Sequence, residues 1–481
     1  MDSIASSSLS YANTERAESL QSSCSFYDLG KSRPELGTNK TANQLNTGES
    51  DGGLSAAKIT NAILFMIAAD NCPLSIVENR GFRALMKTTS PLYNIPSRKT
   101  ITKDIELKYH QMKNAFRDNI TATTTHTLTC DIWTDTSNQS YLGITDHYLT
   151  TELEIKNGCL AVLPLSERHT ADYISLNLRD CLESFGIKTS NVTAMVTDSG
   201  ANIKKAAIDT FGASKHIPCF AHTLSHVVPS VMRTLPQVEN CVLLLRPIEN
   251  VITEISGETY PTGSMAIPII RCMEIALNNC KPVTNIGQDM KSKIIAKIED
   301  KFKEIETCEL LAISTILDPR LKKIHFRSTL TASNAIANIN EEMKSTSSHS
   351  AISVAPNPKP SESFTHSISV WDFHDNLVAN DMQSNSDSSE LHLELRQYLN
   401  QPVISRQENP IKYWQSVKNA FPKLYVLAVK YLNVIATSVS SERLFSKAGA
   451  LKTERRNRLS GKRLNMLLFL GSLSEKDWGL A

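Results

Sequence analysis

Three carboxylates stand where a fold could bring them to one centre. Asp131 lies in Cys130-Asp131-Ile132-Trp133-Thr134-Asp135, at the end of a predicted strand, and Asp198 follows a short apolar strand in Met195-Val196-Thr197-Asp198-Ser199-Gly200. Glu442 lies far downstream, on a predicted helix of small residues. Phosphodiester cleavage and strand transfer use two divalent cations, one activating the attacking oxygen and the other stabilising the leaving one. Magnesium keeps part of its water shell, so three acidic side chains suffice. Each carboxylate also has an ordinary reading: Asp131 as a turn former, Asp198 as the cap of the next helix, Glu442 as a solvated helix residue. Asp135, four residues beyond Asp131, shares its strand face if the strand extends that far.

Two further groups carry chemical potential. Cys219, His222 and His226 fall at spacings of three and four, and the two histidines share a helix face. A structural zinc site normally closes with four ligands, and no fourth is evident, so zinc is not expected here. Lys447, Lys452, Arg455, Arg456, Arg458, Lys462 and Arg463 concentrate cations within seventeen residues. Such a run is either a solvated face or a phosphate-neutralising one. The stretch Leu464–Leu470 is too apolar for an exposed helix and should bury itself in the chain or in a partner.

Positioning these groups falls to elements legible in the periodicity. The segment 1–56 is rich in Ser, Thr, Asn and Gly and is expected to be disordered. A helical pattern runs from 57 to about 118, broken at Asn71-Cys72-Pro73 and by Pro91 and Pro96. Over 119–235 the pattern becomes β-rich: strands at Thr123–Asp131, Tyr141–Thr151 and Cys159–Leu165, a helix at Ala171–Phe185, a strand at Val192–Val196, a helix from Ala201, and a short strand at Lys215–Pro218. Three strands, a helix, a strand and a helix is the order of an RNase H-like α/β fold. That order sets the first strand beside the fourth. Residues 236–330 read as helices at Val242–Ser256, Ala266–Asn279 and Asp289–Thr307, an insertion in the core. A Ser- and Asn-rich stretch with three prolines, 331–390, reads as a flexible linker. A last helical block covers 391–475.

The chain has 481 residues, 41% hydrophobic and 21% charged, with a net charge of +2, so any nucleic-acid contact must rest on local patches. Its ten Cys residues form no Cys-x-x-Cys pair, which argues against a disulfide framework and for a reducing compartment. The first thirty residues lack a signal-peptide core, and no apolar run approaches a membrane span.

The segment Ala436–Gly449, ATSVSSERLFSKAG, with the basic run and the apolar stretch after it, resembles the C-terminal dimerisation region of hAT-superfamily DNA transposases and of the zinc finger BED domain-containing proteins derived from them. Ile59–Thr102 resembles the helical DNA-binding segment that precedes the hAT catalytic core, and ISGETYPTGSMAIPII (255–270) and STILDPRLK (314–322) resemble parts of its helical insertion. The resemblance implies catalytic, metal-holding roles for Asp131, Asp198 and Glu442 with Mg2+ or Mn2+. It implies DNA handling by His222, and the flanking cations Lys447, Lys452, Arg455, Arg456 and Arg458 would add phosphate contacts. It implies homodimerisation or higher association through an apolar set: Trp414, Leu444, Phe445, Leu467, Leu468 and Phe469.

The chain also departs from the family pattern. Only Cys24 is available where relatives carry a BED-type finger, and only twenty residues separate His222 from Leu243, where members carry a longer stretch with an Arg-Trp motif. None of the Trp residues at 133, 371, 414 and 478 falls in that interval, and Ile435 stands in place of a Pro. The expectation is a nuclear, DNA-binding, homodimerising protein without full transposition activity, with a role in transcription regulation. Two alternatives stand beside it: an active metal-dependent DDE-type transposase, and a dimerisation module alone.

Overall fold

The computed structural model describes residues 51–232, 241–257, 260–345, 371, 373–374, 377, 391–452 and 459–480. The first helices are α1 (Asp51–Ala69), α2 (Arg80–Thr89) and α3 (Arg98–Thr121). Helix α3 starts where the Ser97 hydroxyl accepts from the Thr100 amide. It buries Ile101, Ile105, Tyr109, Met112, Phe116 and Ile120, one residue every three or four, which is the stripe that docks it on the sheet. Phe116 lies over Gly158, where any Cβ would collide with the ring.

The sheet has five strands, β1 (His126–Thr134), β2 (Ser140–Leu149), β3 (Ile155–Leu165), β4 (Val192–Thr197) and β5 (His216–Pro218), in the order β3-β2-β1-β4-β5. The first three pair antiparallel, and β4 and β5 add on in parallel. Parallel strands need crossovers, supplied by α4 (Ala171–Phe185) and α5 (Ala201–Phe211). Helix α4 is capped by Thr170 and stops at Gly186, whose φ of 71° is left-handed. The first strand thus lies beside the fourth, as the element order predicts.

The interior divides between two hydrophobic clusters, and β4 contributes to both. Val192 and Met195 of β4 join α3, α4 and the C-terminal helices, while Ala194 and Val196 join a large helical body. That body contains α6 (Phe220–Ser225), α7 (Val227–Met232), α8 (Cys241–Ile255), α9 (Ala266–Asn279), α10 (Asn285–Phe302), α11 (Glu309–Leu317) and α12 (Thr329–Ser345). The chain then returns through α13 (Leu393–Asn400), α14 (Pro410–Ser416), α15 (Pro422–Leu432), α16 (Val439–Leu451) and α17 (Gly461–Gly471).

Several boundaries differ from the sequence reading, three of them with consequences for the packing. Strand β1 runs past Asp131 to Thr134, so Asp131 sits within a strand, because its pairing with β2 continues through Thr134 and Ser140. Helix α1 begins at Asp51, inside the stretch expected to be disordered; residues 1–50 of that stretch, with Cys24, lie outside the described residues. The expected linker 331–390 begins as helix: α12 runs to Ser345 and buries Ala335, Ile339 and Met343. Its Trp371 and His374 are also buried, and His374 stacks on His325 with ring centroids 5.0 Å apart. The three prolines of that stretch lie outside the described residues.

Candidate acidic centre on the sheet

Asp131 projects from β1, Asp198 follows β4, and Glu442 rides the first turn of α16. Parallel pairing of Cys130 with Thr197 brings the first two together. Each Asp also accepts a local amide: Asp131 Oδ1 from Ile132 at 2.7 Å, Asp198 Oδ1 from Gly200 at 3.0 Å. Burial pushes the Asp131 carboxyl up to about 7, and the charges of Asp198 and Glu442 push the same way. Two carboxylates, one of them far off in sequence, thus add to the rise at Asp131. Glu442 itself is exposed at the mouth of the site; the protein crowding its carboxyl raises its pKa, while His222 and Arg443 oppose the rise.

What carries Glu442 to the sheet is a buried hydroxyl network that the sequence reading missed. Ser441 and Thr145 each meet the Thr129 hydroxyl, at 2.5 and 2.6 Å. Ser440 meets Thr145 at 3.1 Å and His147 Nε2 at 3.0 Å. The first turn of α16 is thereby sewn to β1 and β2, one residue before Glu442 and two strand residues before Asp131. The signal was in the sequence as the small hydroxyl run Thr437-Ser438-Val439-Ser440-Ser441. Phe445, one turn on, fits over Gly143 of β2 and stacks with Trp133 at 6.0 Å. Ser441→Ala removes one of the buried Thr129 hydroxyl's partners while Thr145 remains, and is expected to cost about 0.5–1.5 kcal/mol. A urea midpoint equal to that of the unmodified protein would refute the network's role.

Cys219 serves the same end. Its Sγ accepts from the amides of His222 at 3.4 Å and Ser438 at 3.3 Å, capping α6 and anchoring the approach to α16. The His222 and His226 Nε2 atoms lie 2.9 Å apart, and His222 is near enough to Glu442 to lower its pKa. His222 thus lies close to Glu442, on the first turn of the helix that Cys219 caps.

Other expected site residues lie elsewhere. Lys452 is buried, ion-paired with Asp135 and bonded to the Tyr141 hydroxyl at 2.5 Å, so its ammonium is spent inside the fold and is not a DNA contact. Asp135 is committed to that pair and to the amides of Ser137 and Gln139. Lys447 is exposed on α16. Arg455, Arg456 and Arg458 lie outside the described residues. The apolar set expected at a dimer interface is buried within the single chain. Trp414 is 0% exposed and donates to the Leu317 carbonyl at 2.8 Å. Leu444 and Phe445 lie beneath α16, and Leu467 and Leu468 lie beneath α17. Phe469 packs edge-on against Tyr109 and Phe116. These side chains satisfy their hydrophobicity at home because the returning helices close the core of the sheet.

The donors suit a hard cation in kind: they are carboxylate oxygens, and the Asp131 pKa is raised first by burial and then by the charges of Asp198 and Glu442, a charge crowding that a bound cation relieves. In spacing they fall short. Among the described residues no three His, Cys, Asp or Glu side chains stand close enough together to form a ligand set. Nor, among the described residues, is any helix long and apolar enough to cross a membrane.

Residues 129–214 match the ZBED1 RNase-like domain, and 394–473 match the hAT family C-terminal dimerisation region. The chain is homologous to hAT transposases and zinc finger BED domain-containing proteins. Zinc finger BED domain-containing protein 4 of Homo sapiens is 21% identical over 86% of this chain and 43% of its own length. The Hobo transposase of Drosophila melanogaster is 27% identical over 34% of this chain and 27% of the transposase. The putative AC transposase of Zea mays is 23% identical over 36% and 24% respectively. The chain thus spans less than half the length of these relatives. The two matched segments of this hAT homologue contain all three carboxylates, Asp131 and Asp198 in the first and Glu442 in the second.

Proposed function

We propose that this protein is a nuclear, DNA-binding, homodimerising descendant of a hAT transposase that holds DNA without completing transposition, acting in transcription regulation. One observation supports this most: the acidic centre is assembled across the whole chain, yet its carboxylates do not form a ligand set. An RNase H-like sheet with three converging acids is organised around a phosphodiester backbone. Binding can outlive chemistry there, because phosphate recognition rests on surface cations while cleavage rests on metal geometry. Homodimerisation is supported by the matched 394–473 region and would use its outer surface, since Trp414, Leu444, Phe445, Leu467, Leu468 and Phe469 are interior.

The second reading, a metal-dependent DDE-type nuclease, is favoured by the raised pKa of Asp131, which a divalent cation would reverse. One experiment separates the two. Purified protein is expected to retard duplex DNA and to show no strand cleavage in magnesium or manganese, with light scattering reporting a dimer. Cleavage abolished by Asp198→Asn, with a magnesium-dependent rise in melting temperature that Asp131→Asn removes, would overturn the proposal in favour of the nuclease. A protein that neither binds duplex nor cleaves it would leave the dimerisation module alone.

A further inference from the structure

Helix α6 packs one side inward: Phe220, Ala221 and Leu224 are buried, and Val227 at the start of α7 continues that side. His222 and His226, four residues apart, stand together on the opposite side. His226 keeps right-handed helical geometry as the cap of α6, so the spacing of one helix face holds across both residues. Their Nε2 atoms lie 2.9 Å apart, and their rings stand nearly perpendicular, at 83° with centroids 4.5 Å apart. The backbone beneath is fixed on both sides: Cys219 Sγ accepts from the His222 amide, and Ser225 Oγ donates to the His222 carbonyl at 2.8 Å. His222 is half-buried and His226 exposed, so solvent reaches the pair.

Only one proton fits between two nitrogens at that distance, because two N–H groups aimed at each other would repel. One Nε2 therefore offers a lone pair to the other. A divalent cation can take the proton's place, and neutral imidazole is the commonest side-chain ligand for metals. The spacing also selects the ion. With metal–nitrogen bonds of about 2.0–2.1 Å, two ligands at a tetrahedral angle stand about 3.3–3.4 Å apart, and two at a right angle about 2.8–3.0 Å. The observed 2.9 Å is the right-angled value. Right angles between neighbouring ligands belong to octahedral and tetragonal ions, of which Ni2+ and Cu2+ bind such sites most strongly in the first-row series. Tetrahedral zinc in a closed four-ligand site is thus disfavoured by geometry as well as by ligand count.

We propose that His222 and His226 form a two-nitrogen chelate for a first-row divalent cation of octahedral or tetragonal preference, represented by Ni2+, with water filling the remaining positions. The proton that bridges the rings passes through solvent to Nδ1 of the ring that held it, so both imidazoles stay neutral. Two protein ligands make an exchangeable site rather than a structural one. Glu442 adds counter-charge: it lies near enough to His222 for the two to interact electrostatically, although Arg443 acts on the same carboxylate and offsets part of its charge. The chelate uses neither Asp131 nor Asp198, and it rests on neither the DNA-binding nor the nuclease reading.

Calorimetric titration of the full chain with NiCl2, in a non-chelating reducing buffer, is the test. His226→Gln and His222→Gln are each expected to weaken Ni2+ binding by about 10- to 100-fold, since even a lost outer-shell partner costs a metal site that much. His110→Gln, at an exposed histidine of α3, should change nothing, which separates the pair from the chain's other histidines. Glu442→Gln should weaken binding several-fold without abolishing it. Because His226 is exposed, a metal-free circular dichroism melt of His226→Gln that matches the unmodified protein verifies the fold. With Co2+ in place of Ni2+, the visible absorption should be the weak spectrum of a six-coordinate ion. Equal Ni2+ affinity in the unmodified protein and in both histidine variants would overturn the chelate. The intense absorption of tetrahedral Co2+, lost in His226→Gln, would overturn the right-angled assignment while keeping the pair as ligands.

Discussion

Replacing Asp131 by Asn is expected to make the protein more stable at pH 8. The Asp131 carboxyl is held at about 7 in the fold, first by burial and then by Asp198 and Glu442. An unfolded aspartate ionises near 4. Below about pH 4 the group is protonated in both states, so it contributes no pH dependence there. Between about 4 and 7 the folded chain keeps a proton that the unfolded chain has released, so stability declines as pH rises through that window. Above about 7 both states are ionised and the full penalty persists, with a ceiling of about 4 kcal/mol from the size of the shift. Asparagine has no charge to desolvate and keeps an oxygen for the Ile132 amide. The variant should match the unmodified protein near pH 4 and exceed it progressively up to pH 8. Parallel urea unfolding curves at these pH values are the measurement. A constant offset between the two proteins, or a gap that widens toward low pH, would show that the acidic cluster is not a repulsive one.

Asp318→Ala should be among the most damaging single changes in the helical body. Asp318 is fully buried, and its two oxygens accept from Arg320 Nε at 2.9 Å and Nη2 at 2.7 Å, with Ser264 Oγ at 2.7 Å as well. Removing the carboxylate strands a buried guanidinium, a loss of about 3–5 kcal/mol. The damage is also expected to travel. Gly263, beside Ser264, donates to the Val434 carbonyl at 3.1 Å, and a Cβ there would strike that backbone. Thr262 accepts from the Ala436 amide at 3.1 Å. The strap leading into α16, and so to Glu442, therefore leans on the 262–265 loop that Asp318 secures. The double change Asp318→Leu/Arg320→Met removes both charges together and should recover much of the lost stability. Equal midpoints for the single and double variants would show that the ion pair is not what holds the loop.

These two changes fall on opposite sides of what could be read from the chain. The strands around Asp131 and Asp198, the helices at Ala171–Phe185 and Ala266–Asn279, and the pairing of the first strand with the fourth were legible, since periodicity and caps are local signals and a parallel pair needs a crossover. The resemblance placed Glu442 with the two aspartates before any geometry was available. Local patterns could not show what each polar side chain would meet. Lys452 reads as one member of a basic run, yet it is buried on Asp135, a residue 317 positions away, because closing α16 over the sheet brings the two together. The apolar Leu464–Leu470 stretch was seen to need burial, but whether its own chain or a second one provides it depends on the room left by α3 and β3, and the ring of Phe469 fills that room. Hydrophobic pattern records that a side chain must leave water; only the tertiary fold decides what it packs against, because burial is non-directional while every hydrogen bond and ion pair needs a partner at a set place.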